Sequence, residues 1–360
     1  MRLGRALTAL VALALTTGAS LAEPLRGPVD VAARRVAAGR PAGLYVCPNA
    51  PPPIGEVRSV DYFTDPARSI IDKDALERHR ALVKPMEDAA RSLQAMAESY
   101  VKSAPVMSDI AQCATDWLAG WAEADALLGQ PDSQAAQHLR ATLTAALALP
   151  WSVLREDRGI QSSRRRAVDG WFRALGMEVR DDYIDADAGE PGEKGGAWPV
   201  AAAALTAAVA DDRALFEWSI GALEKEAARI RPDGTLAEEM TRKARARYAH
   251  LGTMTAMLLV ETVMNRNGRS LSSTELASLE RLKDLLVVSY RDGNPIEKMT
   301  KVKQVWPGKD GAWLNCWAEI WQSRRPDPKL ATLMAPDGRP IKWTWCGGDA
   351  SLYFGPVATQ

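Results

Sequence analysis

An all-α fold of helical hairpins is predicted by three features of the 360-residue chain. Apolar residues recur at helical spacing after Asp65-Pro66, alternating β-type runs are almost absent, and the loops are short and carry Gly, Pro, Asp or Asn. Short loops make successive helices antiparallel neighbours packed side by side.

The elements follow in order. Arg2 and Arg5, the apolar stretch Ala6 to Leu15 and the small-residue site Ser20-Leu21-Ala22 read as a signal peptide over residues 1–22, so the mature chain is expected in the periplasm or secreted. Residues 23–60 read as an extended arm, because Pro48 and the run Pro51-Pro52-Pro53 oppose regular structure. Residues 61–360 are expected to form one domain. Its helices are placed at 74–102, with a kink or break at Pro85, and at 107–128, 133–149 and 162–175, the last closed by Gly176. Further helices fall at 198–209, 212–229, 236–265, 273–288 and 311–322, and only Ile341 to Trp345 resembles a strand.

Composition narrows the function. Lys plus Arg and Asp plus Glu number 45 each, so nothing in the overall charge calls for nucleic acid, and any polyanion site must be local. After the N-terminus no apolar run approaches the length of a membrane span, so no membrane insertion is expected. The four cysteines, Cys47, Cys113, Cys316 and Cys346, are too widely spaced for a zinc site and suit two disulfides in an oxidising compartment. Cys47 with Cys113 and Cys316 with Cys346 is the preferred pairing, though sequence alone leaves it open among three. No metal or organic cofactor is expected, and the chain is read as a monomer.

The local cationic site is sought between Leu236 and Val263, read as one long helix that starts after Asp233-Gly234. Arg242, Lys243, Arg245, Arg247, Tyr248 and His250 crowd its first half. A solvated basic face would look the same, so a functional reading needs a second segment, and Gly192 to Trp198 is the candidate. Twelve Trp against four Phe also suits sugar binding, since indole faces stack on pyranose rings. Trp117, Trp121 and Trp198 are the candidate stacking residues, whereas Trp313, Trp317 and Trp321 have core spacing. His79 and His138 lie outside these segments and read as surface residues.

Several segments together resemble the alginate lyase family of helical polysaccharide lyases. They are Cys47-Pro48 with the proline run, Cys113-Ala114 with Trp117 and Trp121, Trp171 to Gly176, Leu215 to Trp218, Gly234 to His250, Ala312 to Leu314, and Gly347-Gly348. The resemblance implies an incomplete (α/α) toroid with a cleft for an acidic polysaccharide, and it supports the Cys47–Cys113 bridge. It also implies β-elimination on 1,4-linked uronates. That reaction needs a cation or donor to neutralise the carboxylate beside the C5 proton, a base to remove that proton, and an acid for the leaving oxygen. Family members resemble one another in an Asn-His pair before a Tyr-Trp, which falls here on Lys194-Gly195 with Trp198 retained. They also share an Arg followed seven residues later by Tyr and His. Arg242 and His250 match that motif, whereas the Tyr falls on Ala249, next to Tyr248.

On a regular helix Tyr248 would leave the face shared by Arg242 and Ala249, unless the helix is distorted. Two readings follow. In the first, an exported lyase uses Lys194 and Arg242 on the uronate and Tyr248 or His250 for proton transfer, with neighbouring arginines lowering the Tyr248 pKa. In the second, the chain binds an acidic polysaccharide without cleaving it, as an accessory of exopolysaccharide metabolism.

Overall fold

The computed structural model describes residues 23–41, 43–188, 196–290, 294–305, 314–334 and 338–356. The expected signal peptide, Lys194 and Trp313 lie outside them. Good N-caps start several helices. Asp72 accepts from the Asp74 and Ala75 amides at the head of α2 (Lys73–Lys102), and Ser133 accepts from Ala136 at α4 (Gln134–Leu154). Asp212 accepts from Leu215 at α7 (Arg213–Ala228), and Ser272 and Glu275 form a reciprocal capping box at α10 (Ser273–Ser289). Each cap satisfies amides that the first turn leaves unpaired.

The helices form an incomplete (α/α) toroid. α2, α4, α6 (Ala197–Ala210), α9 (Ala246–Arg266) and α12 (Cys316–Gln322) pack in succession along the inside, each against the next. Outside them run α3 (Ser108–Glu123), α5 (Ser162–Ala188), α7, α10 and α13 (Pro328–Met334). α6 is the hub: it is buried from Ala197 to Val209, and its alanines let α4, α5, α7 and α9 approach closely. At the C-terminus, the strand Lys342–Trp343 pairs antiparallel with the strand Gly348–Asp349, and α14 (Ala350–Phe354) packs on α12 and on α1 (Val31–Ala38).

Four expectations need correcting. The arm contains a helix, α1 (Val31–Ala38), capped by Asp30, while residues 43–62 lack regular structure up to an isolated bridge at Phe63. α2 is not broken at Pro85 but continues through it, and Pro85 lies on its exposed side, where water can serve the carbonyl that loses its helical partner. α5 does not stop at Gly176 but continues to Ala188. Gly176 is instead a packing glycine, because a Cβ there would overlap Thr206 Oγ1 and come within 2.8 Å of Leu215 Cδ2. Gly176→Val is therefore expected to destabilise the fold by about 3 kcal/mol through overpacking, seen as a lower urea midpoint with little change in slope. The fourth correction shapes the site: the long basic helix is broken into α8 (Ala237–Thr241), a 3-10 turn (Lys243–Arg245) and α9.

Both preferred disulfides are present, Cys47–Cys113 and Cys316–Cys346. Beside the first, the Trp117 and Trp121 indole N–H groups both donate to the Pro51 carbonyl, at 3.4 and 3.0 Å. The amides of Leu127 and Gly129 donate to the Ile54 and Gly55 carbonyls. These bonds hold the arm against α3. The two tryptophans, chosen from sequence as sugar platforms, are thus buried and serve as anchors for the arm.

Candidate active site

A cleft of about 510 Å³ opens at one end of the inner helices. Its walls come from the first half of α2, the starts of α4, α6 and α9, the end of α5, the segment around residues 59–68, and Trp343 and Trp345. α4, α6 and α9 therefore present their N-terminal turns to the cleft, and their helix dipoles place partial positive charge there that favours an anionic ligand. α6 has no side-chain cap, since Gly196 precedes it.

The break before α9 places the basic cluster. Lys243 adopts a positive φ of 47°, and its carbonyl accepts from Gln304 Nε2 at 2.8 Å. The Gln304 side-chain oxygen accepts from the Arg247 amide, while the Val305 amide donates to the Ala244 carbonyl. His250 clamps the two sides of the break: Nε2 accepts from the Leu236 amide at 3.0 Å, and Nδ1 donates to the Ala246 carbonyl at 2.7 Å. Its ring is fully buried, which lowers its pKa and keeps the neutral tautomer that both bonds require. His250 is not among the residues lining the cleft.

Because the helix is interrupted, Arg242, Arg245, Tyr248 and Ala249 all line the same space. Arg242 is half-buried and has no ion-pair partner among the described residues. Burial lowers its pKa, and Glu239, the acid that opposes this most strongly, accepts from Thr253 Oγ1 at 2.5 Å. Arg245 lies between aromatic rings, 4.9 Å from the centroids of both Phe63 and Tyr248. Tyr248 also differs from expectation. Its pKa is raised, because burial outweighs the opposing effect of Arg245, so the phenol is held protonated and suits proton donation.

Several acids on the walls are already paired. Asp182 accepts from the buried Arg140 at 2.5 Å, Glu238 pairs with Arg229, and Glu87 with Arg91 at 3.2 Å. Trp198 lines the cleft and meets Trp343 edge-on, with ring centroids 5.7 Å apart. Sequence reasoning missed Trp343 and Trp345, although spacing of two in the strand-like tail was a signal that they could share a face. The two histidines read as surface residues, His79 and His138, both line the cleft, His138 with an exposed side chain. His79 is half-buried, with Nδ1 3.2 Å from Ser59 Oγ and its ring 4.7 Å from that of Tyr62. Among the described residues no group of three or more His, Cys, Asp and Glu could hold a metal ion, and no helix is long and apolar enough to cross a membrane.

The family model described as alginate lyase matches residues 56–296. A polysaccharide lyase of Stenotrophomonas maltophilia is 24% identical over 317 residues, covering 86% of this chain and 91% of its own length. An alginate lyase of Pseudomonas aeruginosa is 24% identical over 365 residues, covering 98% and 95%. Among solved structures, a substituted alginate lyase A1-III complexed with tetrasaccharide superposes with a TM-score of 0.76 at 21% identity, covering 91% of this chain and 95% of that one. The alginate lyase A1-III of Sphingomonas species A1 gives 0.70 at 20% identity over the same shares.

Proposed function

The chain belongs to the alginate lyase family, and from that premise we propose that it is an exported lyase that cleaves a uronate-containing polysaccharide by β-elimination in the cleft. The supporting observation is a half-buried Arg242 without an acidic partner among the described residues, in the same cleft as a protonated Tyr248. Arg242 neutralises the uronate carboxylate and so makes the C5 proton easier to remove. Lys194, just upstream of α6, is a second cation for that carboxylate. Tyr248 protonates the glycosidic oxygen as its bond to C4 breaks. Trp198, with Trp343 and Trp345, stacks on the sugar rings. His250 acts at one remove, by fixing the break that directs Arg242 and Tyr248 into the cleft. Export agrees with the N-terminal signal pattern and with two disulfides, and the enzyme works as a monomer.

The test is to incubate the purified protein with a panel of uronate polymers and follow the ultraviolet absorbance of the conjugated C4–C5 double bond. Tyr248→Phe should lower kcat by about 10²–10³ and change KM much less, since the lost proton acts in the transition state. The raised Tyr248 pKa should extend the alkaline side of the kcat/KM profile to a pH above the ordinary tyrosine value of about 10. Polymer binding with no new absorbance from any substrate would reject the lyase in favour of a binding accessory.

A further inference from the structure

We propose that His138 is the general base of this cleft, taking the C5 proton from the opposite side to Tyr248. The inference rests on the lyase reading and adds to it the residue that performs its first chemical step. Gln134, His138 and Thr142 follow one another at one-turn intervals along α4, and all three line the cleft. The His138 side chain is open to the water of the cleft while protein walls surround it. Its backbone carbonyl accepts from Thr142 Oγ1, but neither ring nitrogen has a hydrogen-bond partner among the described residues.

The other two histidines differ. His250 uses both nitrogens on backbone groups, and His79 is engaged by Ser59 and stacked beside Tyr62. Only His138, among the described histidines, has its ring free to meet a ligand.

α6 packs against both α4 and α9, so His138 and Tyr248 stand on two walls with the α6 start between them. A sugar lying over the α6 start would have a base on one side and an acid on the other. The C5–H bond breaks, its proton goes to an imidazole nitrogen, and its electron pair forms the C4–C5 double bond. The C4–O bond breaks in the same sense, its electron pair passes to the glycosidic oxygen, and that oxygen takes the Tyr248 proton. Imidazolium and phenolate are then reset by proton transfer through water, so no oxidant or reductant is needed.

The electrostatics suit this role. The enclosing walls, and then Arg68 and Arg242, bring the His138 pKa down to about 4, against the opposing pull of Glu239. Arg80, His79 and Glu87 on α2 and Asp182 on α5 face the same space. In the free enzyme the imidazole is therefore neutral and able to accept a proton at neutral pH. A bound uronate carboxylate offsets the guanidinium groups and raises its basicity when substrate arrives.

The experiment compares wild type, His138→Gln and His138→Ala on the uronate panel, with circular dichroism melting as a folding control. His138→Gln should lower kcat by about 10²–10⁴ and leave KM within about threefold. Added imidazole should restore at least about tenfold of the activity lost in His138→Ala and none of that lost in Tyr248→Phe. Near-normal turnover by His138→Gln, or a change confined to KM, would overturn the assignment and leave the lyase intact. A wild type that makes no unsaturated product would remove the lyase reading and the base together.

Discussion

Arg242→Ala is expected to lower kcat/KM by about 10²–10³, equivalent to roughly 3–4 kcal/mol of lost transition-state stabilisation. When the C5 proton leaves, charge spreads onto the carboxylate, and a cation waiting there gains strength as that charge grows. Arg242 needs no rearrangement to serve, because no acid among the described residues holds it. The same fact predicts little change in stability on its removal, since no ion pair is broken. Arg242→Lys should recover only part of the rate, because an ammonium offers a point charge where the guanidinium offers a planar fork. Steady-state kinetics beside a urea titration separate the two effects. Equal losses of rate and stability would instead make Arg242 a structural residue.

Replacing Cys47 and Cys113 together by serine is expected to cost about 4 kcal/mol of unfolding free energy, from the loop entropy of a bridge spanning 66 residues. The shorter Cys316–Cys346 span of 30 residues should cost about 0.7 kcal/mol less when removed. The two bridges should also differ in their effect on function. The first lies just upstream of residues 59–63, which form part of the cleft wall, so its loss should raise KM as well. Bonds from Trp117 and Trp121 to Pro51 keep part of the arm in place, which limits that rise. Denaturant midpoints and KM values of the two double variants check both statements.

Much of the helical plan was legible because its signals are local. Asp72, Ser133, Asp212 and Ser272 are caps that can be read from a few neighbouring residues, and the apolar spacing behind them sets the buried face. Gly176 was misread because a helix-ending glycine and a packing glycine look alike until Thr206 and Leu215 arrive from other helices. The break at Arg242-Lys243 was equally hidden, since it depends on Gln304, some sixty positions further along the chain. Arg242 and Trp198 could be picked out by resemblance, and the structure puts both in the cleft. His138 carried no such mark. As a polar residue on an amphipathic helix it resembles any solvent-facing side chain, and only the curvature of the ring turns that part of α4 toward the cleft.

The arrangement of the inner helices bears on the even balance of 45 acidic and 45 basic residues. A tally of side chains cannot register the backbone, whose peptide dipoles add along each helix without altering the total. With three helix starts gathered at one rim, a molecule neutral by count still offers an acidic polymer a preferred end. The attraction fades within the first turn and so acts on a chain already seated, holding it without drawing polyanions to the rest of the surface.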